Sequence, residues 1–150
     1  MFNIIGKNKN FTPYKFNNDT YQRLFFKLTH AIKNKKKITL NIIKNKDNII
    51  YPSRDFLDVF DLTNLIMKIL LKLKKSNIRA AFNVGNGKHV YINKLINQFE
   101  KIIKKKIKYA QKILPEKEIN FTLANISLVK KTFNWKPKIT LRKSILSHLR

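Results

Sequence analysis

Apolar positions along the chain change period several times, and each change marks an element. Met1–Gly6 is a short apolar run stopped by glycine, which predicts a strand ending at a turn. Lys7–Asn18 is polar, carries Pro13 and reads as a loop. From about Thr20 to Lys33, Tyr21, Leu24, Phe25, Leu28 and Ile32 recur at helical spacing, and Asn18 or Asp19 is placed to cap that helix. Lys35–Lys37 ends it. Ile38–Ile43 is β-branched and alternates loosely, predicting a strand, and Lys44–Asn48 a turn. Ile49–Arg54 is a second extended piece, with Pro52 suited to an edge or a strand end.

The next stretch organises the rest. Ser53–Leu62 holds three of the eight acidic residues, Asp55, Asp58 and Asp61, each three positions apart. Leu62, Leu65, Ile66, Ile69, Leu70 and Leu73 follow at helical spacing. This predicts a strand or turn delivering Arg54, then a helix to about Lys75 whose acids crowd its first turns. There the unpaired N–H groups and the positive end of the dipole favour negative charge.

Beyond it, Ala80–Val84 predicts a buried strand closed by Gly85-Asn86-Gly87. Tyr91–Lys104 predicts an amphipathic helix with Ile92, Leu95, Ile96, Phe99 and Ile103 inward. Lys106–Ile113 alternates as a strand, Pro115–Asn120 reads as a loop and Asn125–Phe133 as a short helix. Asn134-Trp135-Lys136-Pro137 is a turn whose tryptophan is expected to pack under a last helix capped by Thr140. No internal repeat or linker interrupts the chain. Strands alternate with helices, which argues for an α/β fold in one domain.

Composition changes this picture in few places. No cysteine is present, and His30, His89 and His148 are scattered rather than paired, so neither a disulfide nor a metal site is expected. Lys68 and Lys72 break the most apolar segment, and no secretory leader is evident, so no membrane contact is expected and the chain reads as cytoplasmic. The net charge of +25 suggests polyanions. Yet lysine outnumbers arginine 28 to 5, and Lys, Asn, Ile, Phe and Tyr, all with A/T-rich codons, make 83 of the 150 residues. Codon drift accounts for lysines spread over solvated faces, and no specific nucleic-acid partner is expected.

Four blocks stand in an order that resembles a known family. They are Phe2-Asn3 with Gly6; Arg54-Asp55-Phe56-Leu57-Asp58-Val59 with Asp61-Leu62; Phe82-Asn83-Val84-Gly85-Asn86-Gly87-Lys88; and Phe133-Asn134-Trp135-Lys136-Pro137. Together they resemble the C-terminal half of an extended short-chain dehydrogenase/reductase acting on nucleotide sugars, as in UDP-glucose 4-epimerase and the NAD-dependent epimerase/dehydratases. The resemblance implies a substrate-binding region joined to the last strands and helices of a Rossmann-type cofactor domain whose first half is absent. It implies that Asn3 and Arg54 touch the nucleotide diphosphate and that Phe56 lines the site. A guanidinium fork matches two phosphate oxygens and stays charged at every relevant pH. Read from the residues alone, an ion pair of Arg54 with Asp55, Asp58 or a helix carboxylate is the more expected role.

The chain departs from that family in ways that bear on activity. Where an Arg-Arg-x-Gly-Asp segment is usual, it has Leu114-Pro115-Glu116-Lys117-Glu118, with Glu118 in place of the acid. Tyr91 replaces a capping serine and cannot cap. Gly6, Gly85 and Gly87 are the only glycines, too few for a dinucleotide loop, and a G-x-G here reads as a tight turn. No tyrosine has a lysine four residues on, so the family's catalytic base is missing. The expectation is therefore a nucleotide-sugar epimerase or dehydratase portion that binds no NAD alone and assigns no catalytic residue. Its partners would be a nucleotide sugar and an N-terminal NAD-binding half, or a second copy. The competing readings are a non-catalytic remnant and a basic polyanion-binding module.

Overall fold

The computed structural model describes residues 3–6, 24–45, 48–74, 78–114 and 119–150. The loop expected at Lys7–Asn18, the caps Asn18 and Asp19, and Lys117 and Glu118 lie outside the described residues. The elements run β1 (Asn3–Ile5), α1 (Leu24–Lys33), β2 (Ile38–Asn45), β3 (Asn48–Ile50), β4 (Ser53–Asp58), α2 (Val59–Leu73), β5 (His89–Tyr91), α3 (Ile92–Ile103), β6 (Tyr109–Ile113), α4 (Ser127–Phe133) and α5 (Leu141–Leu149). They form the expected mixed α/β architecture.

Among the described residues the strands form two three-stranded sheets. In one, β4 is central, parallel to β1 and antiparallel to β5, with Asn3 opposite Phe56, Ile4 opposite Leu57, and Arg54 opposite Val90. In the other, β2 lies between antiparallel β3 and parallel β6.

Adjacent strand residues point to opposite faces, and β4 uses both. Phe56 turns to a core shared with Ile5 of β1 and with Phe25, Leu28, Leu95, Phe99 and Ile145 from α1, α3 and α5. Leu57 turns to a second core with Leu65, Ala124, Val129, Phe133 and Trp135, backed by Ile4. A strand covered on both sides is nearly continuous in buried residues, as β4 is.

Three expectations change here. The acids do not share a helix: Asp55 lies within β4, Asp58 caps α2 and only Asp61 is in its first turn. Ala80–Val84 is irregular, and the strand beside β4 is instead His89–Tyr91. Trp135 packs with Leu57 and Leu65 on the α2 side, while α5 contributes Ile145 to the opposite core. By contrast, Thr140 does cap α5, accepting from the Lys143 amide, and Tyr91 precedes α3 without a side-chain cap.

Candidate functional site

Of the site residues named from the sequence, Arg54 and Phe56 lie on β4 and Asn3 pairs beside it, and Asp55, Asp58 and Asp61 anchor that strand and the start of α2. Asp55 is fully buried, and its carboxylate accepts from the amides of Asn86 (2.7 Å), Gly87 (3.0 Å) and Ala124 (3.1 Å). Asp58 accepts from the Phe60 amide at 2.9 Å, capping α2, and from the Ser144 hydroxyl of α5. Asp61 accepts from the amides of Lys138 and Ile139, and its own carbonyl accepts from the Trp135 indole at 3.2 Å. Buried carboxylates are stable when several N–H or O–H groups are aimed at them. One short stretch thus ties down four later segments.

This arrangement explains the glycines. A Cβ at Gly85 would stand 2.7 Å from Asp55 Oδ2 and 2.6 Å from the Ala124 methyl. One at Gly6, where φ is +101°, would stand 2.7 Å from Asp58 Oδ2. The Gly85-Asn86-Gly87 turn does hold an anion on its amides, as such a concavity should, but that anion is Asp55 of this chain. Those amides are committed to the fold. The only signal in the sequence was the pairing of an acid in an apolar run with a glycine-rich turn.

Arg54 and Asn3 come out on the same face of the sheet, flanking Phe56. Arg54 precedes Phe56 by two residues on β4, and Asn3 is opposite Phe56 on β1. The Arg54 guanidinium donates to the Ser53 carbonyl at 2.9 Å and to the Ile119 carbonyl at 2.8 Å. That draws β4 to the 119–122 segment, which also meets it through Ser53 N to Asn120 O and Thr122 N to Ser53 O. Asp55 and Asp58 are engaged by amides and a hydroxyl. Phe56, expected to line the site, is 5% exposed, and its ring packs against Phe25 at 5.3 Å. Glu118 lies outside the described residues, immediately before Ile119.

Other polar groups fasten the rest of the fold. Gly6 N donates to His148 Nε2 at 2.9 Å, with the imidazole against Phe25, so α5 is tied to β1. Burial pushes the Glu100 carboxyl up, but the Ile107 amide and the Lys106 ammonium outweigh it and leave it below the usual carboxylate range. Hydrogen bonding to Tyr51, together with its charge, pushes the Tyr109 phenol up. Among the described residues no group of three His, Cys, Asp or Glu could hold a metal, and no helix is long and apolar enough to cross a membrane.

Comparisons fit this geometry. No family model matches the chain. An uncharacterised protein of Methanocaldococcus jannaschii is 30% identical over 115 residues, 73% of this chain and 34% of that protein. Among solved structures, the UDP-glucose-4-epimerase of Stenotrophomonas maltophila, with bound NAD and formylated UDP-arabinopyranose, superposes with a TM-score of 0.84 at 16% identity. It covers 99% of this chain and 44% of its own. The UDP-glucose 4-epimerase of Brucella ovis, in complex with NAD, gives 0.83 at 15% identity, covering 99% and 46%. That of Bifidobacterium longum, in complex with NAD+ and UDP, gives 0.76 at 19%, covering 99% and 44%. The chain therefore has the fold of part of these Rossmann-type epimerases, spanning less than half of their length.

Proposed function

We propose that the chain is the sugar-nucleotide-binding part of an NAD-dependent nucleotide-sugar epimerase or dehydratase. In this reading Arg54 and Asn3 grip the diphosphate, and Phe56 between them anchors β4 in the core. The observation that carries it is a superposition over 99% of the chain on an epimerase holding NAD and a UDP-sugar. Arg54 and Asn3 sharing one sheet face adds support. An arginine fork supplies two parallel donors to a diphosphate, and the asparagine amide supplies a third.

The described residues do not fit NAD. The amides of Asn86 and Gly87 are taken by Asp55, and the chain has too few glycines for a dinucleotide loop. NAD would supply the hydride exchange only when held by another half of the enzyme, so this chain's own work is binding and orientation.

Calorimetric titration with UDP tests the reading. Saturable binding that weakens about tenfold or more in Arg54→Ala, a loss of about 1.4 kcal/mol, is the expected result. Binding that ignores Arg54 and collapses with salt to the same degree for UDP, pyrophosphate and RNA would instead identify a polyanion binder.

A further inference from the structure

Nine of the 28 lysines meet at one corner of the molecule, from two runs far apart in the sequence. Lys33, Lys35, Lys36 and Lys37 lie at the end of α1, and Lys101, Lys104, Lys105, Lys106 and Lys108 at the end of α3. All nine are exposed. β2 and β6 begin where these runs end and pair in parallel, with Ile38 opposite Tyr109 and Ile38 N donating to the Lys108 carbonyl at 3.1 Å. The runs therefore enter the sheet side by side, about 5 Å apart. Within 33–37 and 100–108 the one acid is Glu100, which pairs with Lys106.

Both runs turn through a left-handed lysine, with φ +52° at Lys35 and +54° at Lys104. α4 ends the same way at Asn134, where φ is +42°. At all three ends the next amide reaches back to a helix carbonyl, Lys36 to Ala31, Lys105 to Glu100 and Trp135 to Lys130. Left-handed backbone favours glycine, then asparagine, over a long side chain. Codon drift supplies asparagine as readily as lysine, and the helix dipole favours cations at the end of α4 as much as at the other two. Neither accounts for lysine in both turns of this corner and asparagine in the third. A requirement for charge does.

We infer that this corner rests on an anionic lipid surface. No described helix can cross a bilayer, and the contact is with its face. Ile107 is the one apolar residue within 33–37 and 104–108, and it is buried, so the corner offers no ring on which bases could stack. Nor does it hold an arginine to fork a base edge. What remains is attraction between clustered point charges and a layer of phosphates, the way in which groups of about four to eight lysines meet acidic headgroups. The sugar-nucleotide site stays clear of it. α3 is fastened beside β4 at its start, Ile92 N to the Pro52 carbonyl at 2.9 Å, and its 12 residues carry the lysines about 18 Å further on. The inference stands without the function proposed above.

The test floats the full chain with phosphatidylcholine vesicles, with and without about 30% phosphatidylserine, in about 0.1 M salt. The chain should bind only the acidic vesicles. Lys35→Asn with Lys104→Asn should weaken that binding about tenfold or more. The same variant should melt higher, since asparagine suits both turns, so lost binding is not lost folding. Lys130→Asn with Lys131→Asn removes two exposed charges from α4 instead and should weaken binding less than about threefold. No binding to acidic vesicles overturns the inference. So does an equal loss in the two double variants, which would make the attraction one of net charge alone. An RNA duplex that strips the chain from the vesicles at equal phosphate concentration, with the same dependence on Lys35 and Lys104, overturns it in favour of nucleic acid. UDP titration of the first variant should match that of the unaltered chain, so failure of either reading leaves the other standing.

Discussion

Asp55 shows how far a single carboxylate can organise a fold. It is fully buried, and three backbone amides serve its carboxylate. Removing it leaves those N–H groups without their acceptor. Asp55→Ala should cost about 3 kcal/mol or more, and Asp55→Asn less, because one oxygen still accepts. Urea midpoints of the two variants check this order. Glu100 gives a prediction in pH. Its folded pKa lies below its unfolded value, so its stabilisation is present above the unfolded pKa and fades as pH falls through the folded one. Glu100→Gln should flatten the acid limb of stability between about pH 5 and 3, read from thermal melts across that range. Tyr109 shifts the other way: ultraviolet titration should place its ionisation above the ordinary tyrosine value, and Tyr51→Phe should bring it back.

At the scale of elements, capping separates the strong ends from the weak. Asp58 both caps α2 and receives the Ser144 hydroxyl, so Asp58→Ala should cost about 2 kcal/mol, the upper part of the range for a lost cap. Thr140→Ala should cost less, because its bond to Lys143 is long at 3.4 Å and exposed. Chemical denaturation of both variants compares them. Much at this scale was legible in the sequence. Ile38–Ile43, the α3 face and the Thr140 cap follow from period and residue type, and the structure has them. What was not legible has physical reasons. Acids three apart imitate helical spacing, so Asp55 reads as helix although its neighbours Phe56 and Leu57 face opposite cores. Ala80–Val84 is apolar enough for a strand, but strands need a partner, and β4 takes His89–Tyr91. Trp135 went to α2 because its indole N–H finds the Asp61 carbonyl there, which no local pattern encodes. For the candidate site, Arg54 and Asn3 sharing a face depends on the register of β1 with β4, a long-range pairing the sequence does not print.

For the whole molecule, charge is the dominant imbalance. A net +25 works against any close packing of the chain, and salt weakens that repulsion. The urea midpoint should therefore rise steadily from low ionic strength to about 0.3 M salt, whereas a neutral protein would change little. The Lys106 side chain in its ion pair with Glu100 (3.0 Å) is 90% exposed, so screening of that pair offers little counterweight.

The aspartates of β4 and α2 also set a timetable. Their partners lie 31, 69, 77 and 86 residues further along, at Asn86, Ala124, Lys138 and Ser144. A nascent chain leaving the ribosome exposes three carboxylates and two apolar strand faces long before the groups that settle them exist. Such distant closure slows folding and prolongs the interval in which sheet edges are open. The tertiary structure thus waits for Ser144 to emerge, and a chain stalled before α5 would be left to chaperones or proteases.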